Sequence, residues 1–196
     1  NNTAENDGGG MYIGVLMNSA TLTNSTITNN TSGNNGGGIY VWISSLMLHN
    51  VTISDNLSSY EGGGIYVNFF NPGFNLYDYD IEVPKVMNSI IWNNIPESIS
   101  FLNEEPLLTY SNIEGGWEGE GNIDLDPLFT DPDGGDYRLQ NGSPCIDSGT
   151  TDLDGDGIDD ITDFLDSAPD MGAYEYIMTG DTNFDGEVNI LDIVIT

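Results

Sequence analysis

The sequence is poor in cations. Its 196 residues carry 2 Lys+Arg against 32 Asp+Glu, with one His, for a formal net charge of -30. A nucleic-acid-binding surface neutralises phosphates with Lys and Arg, and an anionic membrane surface would repel such a chain. Both partners are excluded. No apolar run approaches the roughly 18 residues of a membrane-spanning helix. The single cysteine, Cys145, excludes an internal disulfide framework. Initiator Met and signal peptide are both absent, and the chain opens inside a repeat-like stretch. It is therefore read as a mature or proteolytic fragment. Helical periodicity is missing from residue 1 to about residue 113. The acidity does not imply disorder, because 38% hydrophobic residues, with 10% aromatic, suffice to bury a core.

What the chain does contain is repetition. Gly8-Gly9-Gly10-Met11-Tyr12 recurs as Gly36-Gly37-Gly38-Ile39-Tyr40 and as Gly62-Gly63-Gly64-Ile65-Tyr66. Between these lies a second pattern, Leu22 to Asn30, which returns as Leu48 to Asn56, then as Asn88 to Asn94, and more faintly as Tyr110 to Ile113. Each repeat holds short runs of alternating apolar and small polar residues, broken by Asn, Gly and Ser. Strands this short form no core alone. Stacked coil on coil they pair with their equivalents and enclose a continuous interior. Leu22, Ile27, Leu48, Ile53, Ile65 and Ile91 are expected to face inward. One Asn per coil, at the position of Asn50, is expected to form a side-chain amide ladder.

The G-G-G-I-Y and N-x-T-I-x-N-N pairing resembles the right-handed parallel β-helix repeats of bacterial surface proteins such as polymorphic outer-membrane proteins. A second series follows: Asp126-Pro127-Leu128-Phe129, Asp136-Tyr137-Arg138-Leu139, Gly142 to Gly149, and Asp170 to Tyr176. It resembles the C-terminal end of secreted β-helix proteins called choice-of-anchor proteins. These resemblances imply an all-β chain: β-helix coils over 1–114, a β-rich C-terminal cap over 115–176, and a tail over 177–196. They also imply a secreted or cell-surface location in a bacterium. An insertion over 67–86 lengthens one repeat. Its residues Phe69, Phe70, Phe74, Tyr77, Asp78, Tyr79 and Asp80 form a candidate recognition loop, since aromatic faces stack on sugar rings and carboxylates bond hydroxyls. The plainer expectation is aromatic packing over the flank of the helix.

Two segments have the spacing of a twelve-residue calcium loop, with oxygen ligands at positions 1, 3, 5, 9 and 12, a carbonyl at 7 and Gly at 6. The first places Asp152, Asp154, Asp156, Asp160 and Asp163 at the side-chain positions, Ile158 at the carbonyl and Gly157 at the turn. The second places Asp181, Asn183, Asp185, Asn189 and Asp192 likewise, with Glu187 at the carbonyl and Gly186 at the turn. Calcium is the expected cofactor. The second segment resembles the first repeat of a dockerin, a loop followed by a short helix. Dockerins that meet cohesin carry small hydroxyl residues where this chain has Ile190 and Leu191, which argues against a cohesin partner.

No catalytic set emerges. A lyase of this fold needs a Lys or Arg base, and only Lys85 and Arg138 exist. Arg138 is expected to pair with a carboxylate or carbonyl, and Lys85 to be solvated. The leading expectation is therefore a non-catalytic, extracellular, calcium-binding scaffold of adhesion type, with another surface protein or a polysaccharide as partner. The alternatives are a carbohydrate-binding or carbohydrate-active β-helix carried by the dockerin-like tail, and a fibre component associating end to end.

Overall fold

In the computed structural model, residues 1–14, 19–70 and 81–178 are described. No helix occurs among them. The chain winds as a parallel β-solenoid of four coils. The first coil holds β1 (Thr3–Ala4), β2 (Met11–Gly14) and β3 (Ser19–Thr28). The second holds β4 (Thr31–Ser32), β5 (Ile39–Trp42) and β6 (Ser45–Ser54). The third holds β7 (Leu57–Ser58), β8 (Ile65–Asn68), β9 (Lys85–Met87) and β10 (Ile90–Trp92), and the fourth β11 (Ile99–Leu102), β12 (Leu107–Thr109) and β13 (Asn112–Ile113).

Equivalent strands pair in parallel, giving the sheets β1-β4-β7 and β2-β5-β8-β11 and a third built on β3 and β6. The register is the one the repeats dictate. Met11 pairs with Ile39, Ile39 with Ile65, and Ile65 with Ile99. Ile27 pairs with Ile53, Ile53 with Ile91, and Ile91 with Ile113. Alternation along each strand sends these side chains into one buried column, where Leu48, Ile53 and Ile91 are fully enclosed. Leu22 packs against the same core.

Two corners of each coil adopt the left-handed region. One corner is Asn24, Asn50, Asn88 and Tyr110; the other is Asn29, Asp55 and Asn93. Asn and Asp tolerate positive φ better than other non-glycine residues. Each bend takes a backbone N–H out of the parallel ladder, and a side chain of the next coil accepts it. At the first corner Ser89 Oγ accepts from Val51 N and Ser111 Oγ from Ser89 N, both at 3.1 Å. At the second, Asn30, Asn56 and Asn94 accept from the N–H of Asn2, Asn30 and Asn56 at 3.0–3.1 Å. The same four asparagines chain their amides, Asn2 to Asn30 to Asn56 to Asn94, at 2.9, 2.9 and 3.0 Å. An amide ladder is therefore present, but at the second corner of the coil rather than at Asn50, where the sequence placed it. Asn50 and Asn88 of the first corner instead bond the C-terminal segment, at Asp170 O and Thr150 O.

The triple glycines make the third kind of corner. Gly8, Gly36 and Gly62 take φ of 72, 66 and 62°. The glycine after each lies against the next coil: a Cβ on Gly37 would stand 2.5 Å from the Gly63 carbonyl oxygen. Tyr12, Tyr40 and Tyr66 then stack face to face, with ring centroids 5.1 and 5.5 Å apart.

Beyond β13 the chain first covers the end of the solenoid. Ile123 bridges Asn112, and Trp117 packs on the core and edge-on to Phe101. It then turns back along the flank of the third sheet. The antiparallel pair β14 (Phe129–Asp131) and β15 (Asp136–Leu139) lies there. A second apolar cluster forms beneath it from Ile90, Phe129, Tyr137, Leu139, Cys145 and Met171. Cys145 is fully buried, and burial pushes its thiol up to about 11, so it serves as a small apolar residue.

Candidate functional site

The acidic loop after this second cluster is the candidate metal centre. Asp152, Asp154 and Asp156 offer carboxylate oxygens within 4.8 Å of one another. The backbone that holds them is organised by their own side chains. Asp152 accepts from Gly155 N at 2.7 Å with one oxygen and from Gly157 N at 2.8 Å with the other. Asp154 accepts from Asp156 N, and Asp156 from Ile158 N. Gly155 and Gly157 sit at φ of 79 and 85°, which the tight turns require. Three adjacent carboxylates repel one another when no cation is present. A hard cation takes oxygen ligands of this kind, so these three residues could hold a metal ion.

The remaining expected ligands diverge. Asp160 accepts from Leu153 N at 2.8 Å, and its own N–H bonds Thr151 O. It ties the base of the loop and stands outside the close trio. Asp163 lies in another groove, beside His49 and Phe164. Ile158, whose backbone carbonyl is the expected ligand at position 7, is 69% exposed. The loop therefore brings together positions 1, 3 and 5 of the twelve-residue pattern and leaves 9 and 12 apart. The second calcium-type segment, Asp181, Asn183, Asp185, Glu187, Asn189 and Asp192, lies outside the described residues.

The candidate recognition loop is divided. Phe69 is buried in the main core, because its backbone N–H pairs with Leu102 O and its ring continues the inward column of β8. It is not available to a ligand, which corrects the expectation from sequence. Phe70 is 54% exposed. Phe74, Tyr77, Asp78, Tyr79 and Asp80 lie outside the described residues.

The two cations are each paired. Lys85 Nζ meets Glu82 Oε2 at 2.6 Å. Arg138 meets Asp136 through Nε and Nη2 at 2.8 and 2.5 Å, and these bonds hold the Asp136 carboxyl down at about 2. Sequence reasoning did not single out Asp55 as a functional residue, and so missed its partners. Its carboxylate receives the Tyr137 hydroxyl and the Ser54 hydroxyl, at 2.8 and 2.9 Å, and the Asn93 amide. An acid standing in a column otherwise made of asparagine, Asn29 and Asn93, was the available signal.

The repeats are similar to a known family. The model of the Chlamydia polymorphic membrane protein (Chlamydia_PMP) repeat matches residues 24–41 and 50–68. Each match runs from a left-handed Asn corner through the amide ladder and the triple glycine to the stacked tyrosine. No curated protein and no solved structure matches the chain.

Proposed function

We propose that this chain is a non-catalytic scaffold on a bacterial surface, of adhesion type, whose acidic loop binds calcium. The observation that carries the reading is the four-coil solenoid in which residues 24–41 and 50–68 are similar to polymorphic membrane protein repeats. The repeats supply a stiff stack with parallel pairing along its length, which suits presenting a face at a distance from its anchor. Calcium is supported by the Asp152, Asp154 and Asp156 trio and by the linkage expected of it. A cation there offsets carboxylate repulsion and orders the loop, so metal binding and local folding are coupled. The dockerin-like segment over 181–192 would add a second calcium loop by its spacing.

Two measurements test the reading. Antibody labelling of intact cells of the producing bacterium should detect the protein; labelling only after lysis would sink the surface assignment. Calorimetric titration should give calcium binding in the range of extracellular modules, roughly 10⁻⁴–10⁻³ M. No heat, together with a melting curve unmoved by chelator, would sink the metal.

A further inference from the structure

A cleft of about 530 Å³ lies where the C-terminal segment crosses the solenoid flank, away from the acidic trio and from the surface reading above. That volume falls within the roughly 300–1,000 Å³ typical of small-ligand sites. The first corner of the coils lines it with Asn24 and His49, and the C-terminal segment lines it with Arg138, Asp163, Phe164 and Tyr174.

The polar groups here are unspent. Most corner side chains of this fold are committed to a neighbour, as Asn50 is to Asp170 O and Asn88 to Thr150 O. In this cleft the Asn24 amide, the Asp163 carboxylate and the Tyr174 hydroxyl hold no hydrogen bond among the described residues. Convergent donors and acceptors beside aromatic rings are the chemistry of a polyhydroxylated ring: hydroxyls bond the planar polar groups, and the C–H face lies on an aromatic. Tyr174 is 44% exposed and offers that face. Charge selects among such ligands. Arg138 is already neutralised by Asp136, Asp163 is exposed, and a chain of net charge -30 disfavours an anion.

We propose that this cleft binds a neutral saccharide ring, with Tyr174 as the stacking face and Asn24 and Asp163 as the polar contacts. The test is saturation-transfer NMR on the whole chain with glucose, galactose, mannose and N-acetylglucosamine, each alone. At least one sugar should show transfer to its ring protons, and amide shifts on binding should map to residues 161–165 and 172–177. Tyr174→Ala should weaken that binding on the order of tenfold, and Asp163→Asn should weaken it with the fold intact by melting. Tyr60→Ala removes another exposed tyrosine, 68% accessible and outside this cleft, and should leave binding unchanged. Absence of transfer from every sugar overturns the proposal. So does an equal loss in Tyr60→Ala and Tyr174→Ala, or a shift map centred outside the cleft.

Discussion

The Tyr137 hydroxyl donates to Asp55 Oδ2 at 2.8 Å across 82 positions of sequence, and it accepts the Asn29 amide at the same distance. One phenol thus ties the β14–β15 hairpin to two consecutive coils. Burial, and then the facing Asp55 carboxylate, push this phenol up to about 12, so it remains a donor throughout the ordinary pH range.

Removing that hydroxyl should loosen the hairpin without disturbing the solenoid. Tyr137→Phe keeps the ring, which packs edge-on to Phe129 at 5.3 Å. It deletes the bonds to Asp55 and Asn29. The expected cost is about 1–3 kcal/mol, since Asp55 loses a donor in a partly buried setting. Hydrogen exchange should quicken over 127–140 while the amides of β5 and β6 keep their protection. Uniform loss of protection would show that the hairpin and coils unfold as one unit.

The amide ladder makes a graded forecast. Asn56 is 1% exposed, donates to Asn94 and to Ile27 O, and accepts from Asn30. Asn56→Asp would bury a carboxylate, remove the donor, and set an acceptor against the Asn94 carbonyl. A loss of about 3–5 kcal/mol is expected, the scale of an uncompensated buried charge. Asn2→Asp, at the exposed end of the ladder, should cost under about 1 kcal/mol. Urea denaturation of the two variants checks the ratio.

Much of this architecture was legible in the sequence, and the reason is physical. Parallel stacking puts each residue beside its equivalent in the next coil, so offsets of 28, 26, 38 and 22 residues in the repeats reappear as strand register. Inward positions such as Ile53 and Ile91 followed from alternation. The location of the amide ladder did not, because two Asn corners occur per coil and both repeat with the same period. Only the chain's turn geometry decides which corner points its amides along the stack. The lateral course of residues 127–176 was also hidden. It depends on single long-range contacts, such as Gly172 N to Asn88 O at 2.8 Å, which leave no periodic trace. In the acidic loop, spacing identified Asp152, Asp154 and Asp156. It could not foresee that Asp160 would close the loop's base and that Asp163 would lie in another groove.

A glycine variant tests the close approach of neighbouring coils. Gly37→Ala would place a methyl 2.5 Å from the Gly63 carbonyl and 2.6 Å from the Leu57 backbone. Both neighbours are backbone in a paired sheet and have no slack. Overpacking of this kind costs about 1–3 kcal/mol, and more where backbone must move. Gly9→Ala meets the same kind of contacts, 2.4 Å from the Gly37 carbonyl and 2.6 Å from the Thr31 backbone. Thermal melts should place both alanine variants below the parent chain, and an unchanged melt for either would show that the coils have slack.

Acidity should tighten the C-terminal segment. Asp170 is 2% exposed and accepts the N–H groups of Asp147 and Tyr176. Burial is the largest influence on it, with Glu175 and Asp147 adding repulsion, and its carboxyl is pushed up to about 6. Glu175 is displaced upward too, again mainly by burial. A raised carboxyl binds its proton in the folded state at a pH where the unfolded chain has released it. Stability contributed here is therefore full below about pH 4 and falls as pH rises through 6. The change for Asp170 is about 3 kcal/mol at most. Protection factors over 143–176, taken relative to the intrinsic exchange rate at each pH, should be higher at pH 5 than at pH 7, and an opposite ranking would refute the burial argument.

Calcium should act on the loop in the reverse sense, through carboxylates that must be ionised to bind it. Added calcium is expected to slow exchange at the Gly155, Gly157 and Ile158 amides, which already bond Asp152 and Asp156. Asp154→Asn removes one charge of the trio and should weaken binding about tenfold or more, since ligand charge count tunes affinity in such loops. Asp160→Asn separates the two roles. Asp160 organises the loop through Leu153 N and stands outside the trio, so its amide variant should preserve most of the affinity. Equal losses in both variants would mean that all the carboxylates act as one diffuse field, and magnesium would then protect the loop as well as calcium does.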